Sequence, residues 1–305
     1  MNNPFATCRL AAGCFLTLVL SAGVARRALA DAQASPLPLN SWEVKMLLNP
    51  AMFADEDSGA ASFWRLARSV AAGQGLIVNG TADDKTVRHL AYLDTADFAF
   101  NKKGYILRLR QADPVTYPQG ALPKSDLTLK FRSADQALSA SKDVSPAPGV
   151  SGKGKFEDDV VFQDGALKDV FSKSAKIDAT GFSGRTLEQF AGLYPALGTL
   201  WLAPAAAIGV VNDKRVEEHV FEPGTVTLPG GVMADAALTV WRFGKAGEPC
   251  IAEFSFAFAA APEPAETAAR AYMTALAKAA GDWMYRGGGT KTELIYGPGS
   301  GGGGD

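Results

Sequence analysis

Cysteine is almost missing from this chain: three occur in 305 residues, and two of them, Cys8 and Cys14, lie in a short apolar leader. Once the leader is set aside, Cys250 has no intramolecular partner, so a packed core rather than disulfides must hold the fold. Histidine is scarcer still. His89 and His219 are the only two, and neither stands in a His/Cys cluster with zinc spacing. Both read as strand-surface or core residues, and Cys250 as an inert strand residue. No Walker phosphate loop, dinucleotide-binding glycine fingerprint or nucleophile elbow occurs. The apolar run Leu10 to Ala25 falls short of the roughly 20 residues that a membrane-spanning helix needs.

That run has the layout of an export signal. Arg9 precedes it, Arg26 and Arg27 come after it, and Ala28-Leu29-Ala30 before Asp31 forms a small-residue cleavage site. Leu10 to Cys14 superficially resembles a lipoprotein box, but no apolar segment precedes that cysteine. Residues 1–30 are therefore expected to be a cleaved signal peptide. The expected product is periplasmic or secreted, with no lasting membrane anchor. Without Arg9, Arg26 and Arg27 the chain carries 27 Lys+Arg against 32 Asp+Glu, a net charge of −5. That balance argues against binding nucleic acid through bulk charge. About 275 residues at 47% apolar composition suffice for a sizeable core.

Strand patterns dominate the chain beyond the leader. Ser41–Leu48, Arg88–Leu93, Tyr105–Gln111, Asp126–Arg132 and Lys155–Phe162 mix β-branched or aromatic residues with period-two alternation. Ala207–Val211, Arg215–Phe221, Leu238–Phe243 and Cys250–Phe258 do the same. Helical spacing appears over Ala60–Ala72 and Pro264–Met284, with shorter candidates at Gly165–Lys173 and Thr186–Tyr194. Segments 112–124 and 133–154 read as loops, and 298–305 as a disordered glycine-rich tail. Many strands with few helices point to an α+β protein with an antiparallel β-barrel and peripheral helices, one domain over residues 38–297.

Charge inside the strands carries the functional information. In Tyr105-Ile106-Leu107-Arg108-Leu109-Arg110 the arginines share one face and the leucines the other. Lys130 and Arg132 repeat the pattern, Glu43 and Lys45 share a face, and so do Lys155, Glu157 and Asp159. A plain solvated sheet face would alternate in this way too. Recurrent arginine beside acids instead suits a barrel lumen lined by charge. Converging cations there repel one another and call for a polyanion or interleaved acids. Arginine forks match phosphate oxygens, and carboxylates would hold Mg²⁺ or Mn²⁺.

At these residues the chain resembles the CYTH (triphosphate tunnel) phosphohydrolase family. Ala91-Tyr92-Leu93-Asp94-Thr95-Ala96-Asp97-Phe98, with Gly104 to Arg110 after it, is similar to its YxDTxD…G…LRxR segment. Ser41-x-Glu43-x-Lys45 stands at the E-x-E-x-K signature, and Leu127 to Lys130 at a TLK strand. Glu157-x-Asp159 stands at a later acidic pair, Lys214-Arg215 at a basic strand, Glu253-x-Ser255 at a final acidic pair, and Thr290 to Glu293 at a terminal SKxE piece. The resemblance implies an antiparallel eight-stranded tunnel that hydrolyses a triphosphate-containing small molecule with a divalent metal. It implies that Lys45, Arg108, Arg110, Lys130, Arg132, Lys291 and one of Lys214 and Arg215 bind phosphates. Lys45, Lys130 and Glu43 would carry catalysis, while Glu43, Glu157, Asp159 and Glu253 would hold Mg²⁺ or Mn²⁺.

Three acids of the pattern are missing: Ser41 and Ser255 replace glutamates, and the strand that offers Trp241 and Arg242 lacks the usual aspartate. The cationic half of the site is intact and the metal half is thinned. This leaves two readings, a metal-dependent triphosphatase of the cell envelope and a non-catalytic binder of polyphosphate or another polyanion. A barrel recruited for protein interaction is a third.

Overall fold

In the computed structural model, the described residues are 37–116, 120–244, 247–287 and 290–298. The expected leader and nearly all of the expected tail lie outside them. Alternating strands close into a ring. The members are β1 (Ser41–Leu48), β3 (Lys85–Asp94), β4 (Tyr105–Ala112), β5 (Ser125–Ser133), β6 (Gly152–Gln163), β7 (Ala166–Asp178), β8 (Gly209–Leu228), β9 (Val232–Phe243) and β10 (Pro249–Ala259). A short β2 (Ile77–Asn79) adds to β8 outside the ring. Around the barrel the order is β8-β3-β4-β5-β7-β6-β1-β10-β9, and β9 pairs back with β8.

This corrects the expected antiparallel eight-stranded barrel: the ring has nine strands and is mixed. Directions that alternate around an odd ring cannot close, so one neighbouring pair must be parallel. That pair is β1 with β6, in register from Ser41↔Glu157 to Met46↔Phe162. The extra strand is β7, whose first half lies within Gly165–Lys173, a segment with helical spacing in the sequence. Asp164 and Gly165, at φ 54° and 82°, form a two-residue turn that brings Gln163 opposite Ala166. Asp-Gly at positive φ matches strand twist in a tight hairpin, which overrides the weak helical period.

Smaller differences have local causes. The strand candidates 207–211 and 215–221 fall in one region, the latter wholly inside β8, where Asn212 and Asp213 take positive φ and the register against β3 slips. The loop expected over 133–154 contains α2 (Gln136–Ser141), capped by Asp135. Thr186–Tyr194 shortens to α3 (Leu187–Ala191), with α4 (Pro195–Gly198) after it.

The outer faces of the strands make the core. Val44, Met46 and Leu48 of β1 pack with Phe254 and Phe256 of β10 beneath α1 (Glu56–Gly73) and α5 (Glu263–Ala280). Leu107, Leu127, Leu129 and Ile177 pack beneath α3 and α4. Each such side chain contributes about 1.5–3 kcal/mol on burial. Because apolar residues at period two face outward, their charged neighbours must face inward. At one end the inward residues become apolar: Leu90, Tyr92, Val216, Trp241 and Ile251 cluster with Ile295 and Tyr296 of α6 (Lys291–Tyr296).

Candidate functional site

The lumen holds a cavity of about 810 Å³. Eleven Lys/Arg side chains and six Asp/Glu side chains line it, so it has a surplus of positive charge that favours an anionic ligand.

Carboxylates and lysines interlock along β1, β5 and β6. Lys45 Nζ donates to Asp159 Oδ1 at 2.5 Å and Glu43 Oε2 at 2.8 Å. Lys130 Nζ donates to Glu157 Oε1 at 3.0 Å and Asp159 Oδ2 at 3.4 Å. Arg132 Nη2 lies 3.4 Å from Asp159, and Lys155 pairs with Glu157. Burial alone would favour the neutral acid at Asp159, but Lys130, Lys45 and Arg132 hold its carboxyl well below the usual carboxylate range. Burial likewise opposes charge on Lys45, yet Asp159 and Glu43 hold its ammonium well above the usual lysine range. Asp159 and Lys45 thus hold each other in the charged form.

Arginine dominates β3 and β4. Arg88 Nε donates to Glu218 Oε2 at 2.6 Å, and Arg110 Nη2 lies 3.3 Å from the same oxygen. Trp241 Nε1 donates to the other oxygen, Oε1, at 2.9 Å. Burial would raise the Glu218 carboxyl, but Arg110 and Arg88 hold it well below its usual range. Burial, then the charge of Arg108, pushes Arg110 down to about 10, so it stays protonated at neutral pH. Arg108 has no ion pair among the described residues, and the Nε atoms of Arg108, Arg110 and Arg132 are buried without an acceptor. A buried, unsatisfied donor costs about 1–3 kcal/mol. Three on neighbouring strands mark a site for acceptor oxygens.

Lys291 enters from α6. Its Nζ donates to Thr239 Oγ1 at 2.7 Å and Glu253 Oε1 at 2.8 Å, and lies 4.8 Å from the Trp241 ring centre.

The lumen thus brings together Glu43, Lys45, Arg108, Arg110, Lys130, Arg132, Glu157, Asp159, Glu253 and Lys291. It does not include Lys214 or Arg215, which is a correction to the sequence expectation. Lys214 Nζ donates outside the cavity to the Leu294 carbonyl at 2.5 Å, and Arg215 is exposed. Arg215 alternates to the outer face, whereas Lys214, on the face of Val216 and Glu218, lies over the Phe243 ring against α6. Ser255 and Trp241 line the cavity, whereas Ser41 is buried beside it. Arg88 and Glu218 line it too, although strand alternation did not single them out. Asp94, in the most specific motif, has a local role: its side chain accepts from the backbone N–H groups of Thr95, Phe100 and Asn101 and shapes the turn after β3.

A divalent metal fits one part of the lumen. Carboxylate oxygens of Glu43, Glu157 and Asp159 lie within 4.8 Å of one another, and such hard oxygen donors suit Mg²⁺ or Mn²⁺. Glu253 stands apart from this group, paired with Lys291.

Comparison with protein-family models and with curated proteins gives no match. Among solved structures, the chain is similar to a candidate adenylyl cyclase from Hippeastrum described as having a dominant triphosphatase activity. Identity is 12%, over 84% of this chain and 95% of that one, with a TM-score of 0.43. It is also similar to candidate adenylate cyclases from Bacillus halodurans (13%, 85% and 100%, TM-score 0.38) and Vibrio parahaemolyticus (12%, 85% and 99%, TM-score 0.35).

Proposed function

We propose that this chain is a divalent-metal-dependent hydrolase of triphosphate-containing substrates, inorganic tripolyphosphate or an organic triphosphate, working in the cell envelope. The observation that carries the reading is the set of buried arginine donors without acceptors, Arg108, Arg110 and Arg132, in a lumen with surplus positive charge. Guanidinium forks match phosphate oxygens. Lys45, Lys130 and Lys291 add point charges that swing onto a phosphoryl group. Glu43, Glu157 and Asp159 would hold Mg²⁺ or Mn²⁺, which when bound neutralises phosphate charge and lowers the pKa of water. Glu43, the most exposed of the three at 27% of its side chain, would orient the attacking water. Catalysis is then positioning and charge neutralisation. The leader motif supports export, which favours substrates other than cytoplasmic nucleotides.

The test is phosphate release from tripolyphosphate with Mg²⁺ or Mn²⁺. Turnover is expected, and Lys130→Ala should lower it by about 100-fold or more. No turnover with either metal would sink the enzyme reading. A second reading, a non-catalytic polyanion binder, is favoured by one observation: lysines already neutralise all three candidate metal carboxylates. Calorimetry that detects polyphosphate binding without hydrolysis would select it.

A further inference from the structure

We propose that Glu218 is a resident counter-anion that limits how many phosphoryl groups the lumen accepts. This rests on the phosphate reading of the site and adds a specificity determinant to it. Glu218 is only 2% exposed, and both of its oxygens are engaged: Oε2 by Arg88 and Arg110, and Oε1 by the Trp241 indole. A carboxylate set between two guanidinium groups occupies the place that the oxygens of one phosphoryl group would take, because both ligands use the same planar fork.

Arg88 and Arg110 are thereby neutralised from within, while Arg108, two residues from Arg110 on the same strand face, has no ion pair among the described residues. The lumen therefore has two segments. One runs from Arg108 to Lys130 and Arg132, where Glu157 and Asp159 are shared among several cations and the Nε donors of Arg108 and Arg132 stay open to ligand. The other is closed by its own carboxylate and abuts the apolar plug of Trp241, Ile295 and Tyr296. A phosphate chain that extends from Arg108 onto Arg110 meets the fixed negative charge of Glu218. One more phosphoryl group there faces Coulomb repulsion and finds the two arginines taken. Glu218 is a positioning and specificity residue in this account, since it acts through the arginines.

The experiment is metal-free calorimetry of the purified protein with pyrophosphate and with tripolyphosphate, at fixed ionic strength. The variants are Glu218→Gln and the double variant Arg88→Gln/Glu218→Gln. The double variant removes one charge of each sign, so it releases Arg110 while leaving the net lumen charge unchanged. It leaves one arginine without its carboxylate, where Glu218→Gln leaves two. For wild type, the two anions should bind within about threefold of each other. The released arginine contacts, two in Glu218→Gln and one in the double variant, should tighten tripolyphosphate by roughly tenfold or more, and pyrophosphate by less than about threefold. Equal tightening for the two anions would reduce Glu218 to a bulk charge and overturn the proposal, as would unchanged affinity for both. If Glu218→Gln fails to fold, the double variant alone decides on the same criteria. Wild type that binds neither anion overturns the phosphate reading and this proposal together. Wild-type binding with no length-selective change in the variants overturns the limiter alone.

Discussion

Glu218 and its neighbours Glu217 and His219 share one strand, β8, yet lie on opposite faces of the barrel wall. Outside, at the start of α1, Glu56 is 6% exposed and accepts a hydrogen bond from Arg242 Nε at 2.7 Å. It also pairs with His219 Nδ1, while His219 Nε2 meets Glu217 at 2.9 Å. Lys85 completes the group, 3.6 Å from Glu56 and 3.1 Å from Asp57. Every charge there has a partner of opposite sign. Inside, the same wall leaves Arg108 alone and cations in excess. Balanced burial is what a helix needs to dock on a sheet. An unbalanced lumen is costly unless a ligand completes it. The outer cluster is thus read as structural and the inner one as binding machinery, and variants on the two faces should separate accordingly.

The largest effect is expected outside. Glu56→Ala leaves the partly buried Arg242 without a carboxylate and His219 with Glu217 alone, and loss of one partner from a buried pair costs up to about 3–5 kcal/mol. Denaturant unfolding should show that loss, while the tripolyphosphate affinity of the folded fraction stays within about twofold. A stability change under about 1 kcal/mol would erase the distinction between the faces.

Arg108→Ala should show the reverse. Arg108 has no ion pair to lose among the described residues, and its charge already disfavours that of Arg110. Unfolding free energy should hold or rise slightly, by less than about 1 kcal/mol. Tripolyphosphate binding should weaken by roughly ten- to a hundredfold, the worth of one charge-assisted contact. Calorimetry beside denaturant unfolding reads both quantities. A marked loss of stability with unchanged binding would make the lumen structural as well.

The inner face was legible in the sequence wherever one face of a strand is charged and the other apolar. Ser41–Leu48 appears with its bounds, and Arg108, Arg110, Lys130 and Arg132 all reach the cavity. Reading failed where that contrast disappears. Val216-Glu217-Glu218-His219 carries polar groups on both faces, so alternation cannot say that Glu218 points inward and its neighbours outward. Lys214 and Arg215 sit just past a positive-φ pair whose register slip no alternation count anticipates. The missing strand left a usable signal in Asp164-Gly165, a tight-hairpin dipeptide beside an alternating run. Which strands become neighbours depends on contacts far apart in the chain, so the parallel β1–β6 pair had no local signature.

The smallest effect expected is a pH dependence that belongs to the outer face alone. The hydrogen bond to Glu56 raises the His219 pKa above its ordinary 6.5, against the opposing effect of burial, and Glu217 adds to the rise. A raised folded pKa means that the folded state binds the proton more tightly than the unfolded chain does. The stabilisation from His219 is therefore complete below pH 6.5 and is lost as pH climbs through the raised value. Glu56 behaves oppositely. Burial would raise its carboxyl, but hydrogen bonds from His219 and Arg242 bring it below 4.5, so its contribution fades only in acid. Unfolding free energy of wild type should decline from pH 6.5 toward mildly alkaline pH. The gap between wild type and His219→Gln should narrow over the same range and remain a fraction of the Glu56→Ala effect. Tripolyphosphate affinity, measured alongside, should show no step that His219→Gln removes. If such a step appears, the two faces communicate through β8, and the division between a structural outside and a binding inside fails at Glu218.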